Sequence, residues 1–138
     1  NPPIIPASIE DLKGEKWARI KSINNRPVDG HYEVSNLGRV IKTVSGEVSN
    51  TSFTQRKLIN CSPDKNGRVR VHFRFLGDPK NATFYTNKVV AAHFVTNPNP
   101  DKLSVVSHKN GDLSDSRSEN LFWESKSDSL SRNRKNKK

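Results

Sequence analysis

The sequence predicts an α+β protein, with an N-terminal antiparallel β module running into a smaller strand, loop, strand and helix unit. Three observations carry this prediction. Residues 68–75 alternate cleanly, Val69, Val71, Phe73 and Phe75 against Arg68, Arg70, His72 and Arg74, which is the period of a half-buried strand. Tyr32 and Val34 alternate with polar neighbours, Asn36 and Gly38 suit a tight turn, and Val40 opens a second strand, so residues 31–40 read as a β-hairpin. Helical apolar spacing appears at Val89, Val90, Ala92, His93 and Phe94, just before the last third of the chain.

Residues 1–16 read as an arm. Pro2, Pro3 and Pro6 oppose regular structure, Ile4, Ile5 and Leu12 offer docking points, and Ser8 suits the cap of one helical turn carrying Glu10 and Asp11. Residues 17–82 form the expected β module. Trp17, Ile20 and Ile23 mark one short strand, closed by the turn cluster Asn24-Asn25-Arg26-Pro27. The hairpin follows, and the polar, Ser/Thr-rich residues 43–56 read as an exposed loop. Asp64-Lys65-Asn66-Gly67 turns the chain into the alternating strand, whose second face is a basic stripe. Residues 77–81 turn it again.

Residues 83–130 form the second unit. Thr83-Phe84-Tyr85 pairs as a strand, Thr86 or Asn87 caps the helix through Phe94, and Asn97-Pro98-Asn99-Pro100 ends it. Val105 and Val106 lead a strand into a long polar loop, Leu121 to Trp123 return from it, and Ser125-Lys126-Ser127-Asp128 opens a last helix as a variant capping box. Residues 131–138 hold five cations and no acid, and read as an unfolded basic tail.

Composition bounds the function. The 138 residues suit about one domain, and only 31% are hydrophobic with a mean hydropathy of −0.82, so the core is modest. With 24 Lys+Arg against 14 Asp+Glu the net charge is +10, which favours an anionic partner, nucleic acid first. Neither a long apolar run nor a basic amphipathic helix is present, so no membrane partner is expected. A lone Cys61 excludes an internal disulfide and a cysteine-built zinc site, and it suits a reducing compartment. The start at Asn1 and the lack of methionine read as a processed or trimmed piece.

The residues Ser107-His108-Lys109-Asn110-Gly111-Asp112, followed at Asn120 by Asn-Leu-Phe-Trp, carry a resemblance. Residues 104–129 resemble the ββα-metal (His-Me finger) motif of the HNH endonucleases, in particular the phage-type homing enzymes, where His-x-x-Gly-Asn/Asp precedes Asn-Leu-x-Trp. Residues 31–40, with Trp17 upstream, resemble the NUMOD-type module that often precedes that domain. Together the two blocks bracket the chain from Trp17 to Ser129, with residues 43–82 only loosely matched.

The resemblance implies roles. His108 takes the position of the general base that deprotonates the attacking water, and a neutral imidazole near pH 7 suits that task. Asn120 takes the position of the asparagine that ties the loop to the histidine strand. In the relatives, a residue just before the histidine and another about two turns into the last helix hold one divalent ion, Mg²⁺ or Mn²⁺. Here those positions are Ser107 and Ser129, neutral and weak ligands for a cation that prefers carboxylates. Asp128 is the neighbouring carboxylate, though about 100° off around a helix of 3.6 residues per turn, while Asp112 and Asp115 lie on the loop.

His93 reads as a buried helix-core histidine, His31 and His72 as solvated or near phosphate, and Trp17 and Trp123 as core anchors. Arg39, Arg68, Arg70, Arg74, Lys109, Arg132, Arg134 and Lys135 are the expected DNA contacts. The expected function is a cytoplasmic (phage or bacterial), monomeric HNH-type endonuclease that hydrolyses phosphodiester bonds of double-stranded DNA with one divalent cation. The alternative is a DNA-binding protein that keeps the fold and has lost catalysis, because both ligand positions are serine.

Overall fold

In the computed structural model, which describes residues 9–23, 26–59 and 61–136 with side chains as far as Ser131, the fold is mixed, with mostly antiparallel strands and few helices. Strands β1 (Trp17–Ile23), β2 (Arg26–Ser35), β3 (Val40–Val48) and β4 (Thr51–Leu58) form a four-stranded antiparallel sheet in chain order. Strands β5 (Ser62–Pro63), β6 (Val69–Arg74) and β7 (Asn81–Tyr85) form a second sheet, and β7 runs directly into helix α1 (Thr86–Phe94). Strands β8 (Val105–His108) and β9 (Leu121–Glu124) pair antiparallel, with His108 opposite Leu121, and helix α2 (Lys126–Asn136) follows.

One apolar cluster joins these pieces. Ile20, Tyr32, Val34 and Val40 of the first sheet meet Val71 and Phe73 of β6, Val89 to Ala91 of α1, and Val106 and Leu121 of the β8–β9 pair. The edge of the Tyr32 ring meets Phe73 at 5.1 Å between centroids, a geometry that adds to area burial. The alternation along residues 69–75 does what its period requires: Val71, Phe73 and Phe75 are buried while His72 and Arg74 are exposed. The hairpin also forms as predicted, with Val34 opposite Val40 and Gly38 at φ +89° in its turn.

Several expectations are corrected. Residues 43–56 are no loop; they fill β3 and β4, which pair from Ile41–Leu58 to Val48–Thr51 around Ser49 and Asn50 at φ 50° and 64°. The stretch is poor in apolar residues, which hid it, but Thr, Val and Phe favour the pleated chain and two left-handed residues make a twisted two-residue turn. Strand β2 begins at Arg26 and β7 at Asn81, inside segments expected to turn, while Asn24 and Asn25 lie outside the described residues. The cap on Ser8 lies outside them as well. Residues 9–16 form no helix; Asp11 accepts a hydrogen bond from the Trp17 indole at 2.9 Å and pairs with Arg56 at 3.0 Å.

Helix α1 starts at Thr86 with no side-chain cap and ends at Phe94, ahead of the proline cluster. Asn87 instead accepts from the neighbouring Lys88 N–H at 2.8 Å. At the C-terminus the capping role of Ser125 holds, since its hydroxyl accepts from the Asp128 N–H at 3.1 Å. The helix it opens continues through Asn136, past the point where an unfolded tail was expected. Among the described residues no helix is long and apolar enough to cross a membrane.

Candidate functional site

The loop after His108 is built around Asn120. Its carboxamide oxygen accepts from the Asn110 N–H at 3.0 Å, and its amino group donates to Asn110 Oδ1 at 3.0 Å and to the Asp115 carbonyl at 2.9 Å. Its own carbonyl accepts from Lys109 N–H at 2.7 Å. Asn120, the residue just before β9, therefore fixes the start and the middle of the loop, and being buried it does so away from competing water. The loop acids are consumed locally. The Arg117 guanidinium, 2.8 Å from Asp115, holds that carboxyl at about 2, and Asp112 accepts from the Ser114 hydroxyl at 2.6 Å.

His108 closes β8 at the edge of a groove of about 640 Å³. The groove is walled by Arg68 ahead of β6, Tyr85 and Lys88 at the β7–α1 junction, and Ser107, Lys126 and Ser129 from the last unit. Burial of the ring, then the nearby Arg68 charge, lowers the His108 pKa below its ordinary 6.5, against weaker pulls from Asp115 and Asp112. The imidazole is thus neutral at pH 7, the form a general base requires. Its Nε2 is buried without a hydrogen-bond partner among the described residues.

Ser107 and Ser129 both line this groove, as their places in the motif imply. Ser107 is nevertheless occupied: its hydroxyl donates to the carboxylate of Glu124, which is buried on β9. Among the described residues that line the groove there is no carboxylate, neither Asp128 nor the loop acids. Among the described residues no cluster of three or more His, Cys, Asp or Glu is placed to hold a metal ion. Two serine hydroxyls and one histidine do not fit a hard divalent cation, which binds through carboxylates. The donor set of the groove is suited to an anion.

The expected DNA contacts are dispersed. Arg68 reaches the groove, whereas Arg70 bonds the Pro63 carbonyl at 3.5 Å and Arg74 lies 3.9 Å from Asp29. Arg39 is bound to Glu15, with its Nε donating at 2.9 Å, and lies over the Trp17 ring. Lys109 is exposed beyond the groove lining, and the side chains of Arg132, Arg134 and Lys135 lie outside the described residues. His93 Nδ1 donates to the Val89 carbonyl of its own helix, 2.8 Å away, and His72 meets Thr83 at 2.8 Å.

Sequence reasoning missed Lys88, Lys126 and Glu124. The two lysines stand in the first turn of the helices on either side of the β8–β9 pair. Glu124 was readable from register, because Val105 and Ser107 share a face with Phe122 and Glu124 when the two strands pair antiparallel.

The histidine-ended strand, asparagine-pinned loop and returning strand define a class, and comparison with known proteins agrees. The chain is similar in sequence and in fold to HNH homing endonucleases. It is 32% identical over 109 residues to an uncharacterized HNH endonuclease of Acanthamoeba polyphaga mimivirus, covering 78% of this chain and 26% of that protein. It is also 32% identical over 108 residues to DNA endonuclease I-HmuI of Bacillus phage SP01, covering 78% of this chain and 51% of the relative. A solved structure of that HNH homing endonuclease, concerned with DNA binding and cleavage, matches with a TM-score of 0.59 at 26% identity, over 88% of this chain and 59% of the other. No family model matches the chain. The chain spans about a quarter to a half of the length of these curated relatives. The similarities support the HNH homing endonuclease family.

Proposed function

We propose that this chain binds double-stranded DNA and hydrolyses its phosphodiester bonds, with His108 as the general base. The observation that carries the reading is the neutral, half-buried His108 on the wall of a cation-lined groove. A phosphodiester seated there brings its phosphorus beside the imidazole. His108 takes the proton of a water molecule as the water oxygen bonds to phosphorus, and the P–O bond to the sugar breaks, its oxygen leaving with the bonding pair and taking a proton from solvent. Asn120 acts through the loop, by holding the end of β8 in place. The relatives' similarity supports a DNA partner, since I-HmuI is a DNA endonuclease by name.

Nicking of supercoiled plasmid tests this reading. Wild-type protein should nick, and His108→Ala should lose activity by roughly 10²–10⁴-fold, the usual range for a general base, with DNA affinity little changed. Equal nicking by the two proteins would exclude His108 as the base.

A second reading, DNA binding without cleavage, is favoured by one observation: the Ser107 hydroxyl is bound to Glu124 at the position that the resemblance to the HNH motif assigns to a metal ligand. It predicts salt-sensitive DNA binding and no nicking with Mg²⁺, Mn²⁺ or EDTA. Activity appearing only when Ser107→Asp and Ser129→Asn are combined would establish a lapsed site.

A further inference from the structure

Five arginines of the described chain, Arg26, Arg39, Arg56, Arg74 and Arg117, lie within ion-pair distance of a carboxylate. Arg68, Lys88 and Lys126 do not: among the described residues none of the three enters an ion pair, and all three line the His108 groove. They come from three separate places in the fold, the turn before β6, the first turn of α1 and the first residue of α2, so only tertiary folding brings them together. All three are exposed, and the Arg68 guanidinium stands 6.0 Å from the Tyr85 ring centroid, an aromatic face that restrains it.

Three cations facing one groove, with no carboxylate among the described residues that line it, repel one another. An anion placed among them relieves that repulsion and gains charge-assisted hydrogen bonds. The missing carboxylates matter here twice. They leave a divalent cation without its ligands, and they leave a phosphodiester with no carboxylate among the described residues that line the groove. Ser107 adds no charge, and its hydroxyl is turned to Glu124.

We infer that Arg68, Lys88 and Lys126 grip the DNA phosphodiester directly, with no protein-held divalent cation between the groove and the phosphate. This rests on the DNA reading above and specifies which residues make the grip and what they do without. Lys88 and Lys126 are, in this assignment, phosphate-binding residues beyond the His108 and Asn120 positions of the motif.

Fluorescence anisotropy with a labelled duplex tests it, on the intact chain and at matched ionic strength. Affinity in EDTA should be at least equal to that in Mg²⁺. Arg68→Gln, Lys88→Gln and Lys126→Gln should each weaken binding roughly fivefold near 0.15 M salt and flatten the slope of log K against log salt by about 0.9. Because the three side chains are exposed, thermal melts of the variants should match wild type. Ser107→Asp should weaken binding in EDTA, and Mg²⁺ should restore it. A wild-type affinity that falls more than tenfold when EDTA replaces Mg²⁺ overturns the direct grip, as do unchanged slopes in all three variants. No DNA binding in either condition overturns the DNA reading itself, whatever the groove does.

Discussion

The Ser118 N–H donates to the carbonyl of Asn36 at 2.7 Å, joining the site loop to the turn of the β2–β3 hairpin. Asn36 is also fastened to the N-terminal segment, its side-chain oxygen accepting from Lys16 N–H at 2.7 Å and its amide donating to Gly14 at 3.2 Å. The two most informative blocks of the sequence, residues 31–40 and 107–123, are therefore two sides of one structure. The hairpin turn is the floor on which the loop after His108 rests.

That contact depends on Gly38. Its φ of +89° is unfavourable for any residue with a Cβ, and a Cβ there would stand 3.3 Å from the Ser116 Cβ. Gly38→Ala should destabilise the fold by about 1–2 kcal/mol from the backbone conformation alone, and shift the amide signals of Ser116 to Ser118 in NMR spectra. Unchanged urea midpoints would show that the turn relaxes without strain.

Asn120→Ala removes the acceptor of the Asn110 N–H and the donor to the Asp115 carbonyl. The expected loss is roughly 2–4 kcal/mol, as two backbone groups lose their partners in a partly buried site. Asn120→Asp keeps the acceptor and loses the donors, so it should fall between wild type and alanine. Chemical denaturation measures the series, and an alanine variant as stable as wild type would remove Asn120 as the anchor of the loop.

Much of this arrangement was legible because its signals are local. Strict alternation announced β6, Asn36 and Gly38 announced the hairpin turn, and Ser125 announced the start of α2. The β3–β4 ribbon was hidden because Ser, Thr, Gly and Glu carry little hydrophobic pattern, and its stability comes from the neighbouring strand. The groove was hidden for a different reason. Arg68, Lys88 and Lys126 are 20 and 38 residues apart in the chain, so nothing but the fold brings them to His108. The stripe Arg68, Arg70, Arg74 had the right charge, but Asp29 and the Pro63 carbonyl take two of its members.

Acid should weaken the anchor of the N-terminal segment first. Burial opposes ionisation of Glu15, but hydrogen bonds from Arg39, the Leu12 N–H and Ser35 outweigh it and hold the carboxyl at about 2, below its ordinary 4.5. A depressed carboxylate contributes stability that is complete above the unfolded value and is lost as pH falls from there through about 2. Allowing for screening by solvent, this is on the order of 1–2 kcal/mol. Glu15→Gln should remove that part of the acid dependence while leaving stability at pH 2 near that of wild type; identical stability curves for the two proteins would assign the acid dependence elsewhere.

The proton equilibrium of His108 ties the groove to the chemistry. Desolvation by its surroundings lowers the pKa, and the Arg68 charge lowers it further. An imidazole signal in an NMR titration should therefore have its midpoint below 6.5. Arg68→Gln removes the second cause and leaves the first, so the midpoint should rise. The sign for stability follows: the folded chain binds less proton than the unfolded chain between the two midpoints, so stability gains with pH across that window and levels off above it. If His108 is the base, the acid limb of the nicking rate should move with the same midpoint in both proteins. A titration unmoved by Arg68→Gln would place the guanidinium outside electrostatic reach of the ring, and with it outside any phosphate that the ring could serve.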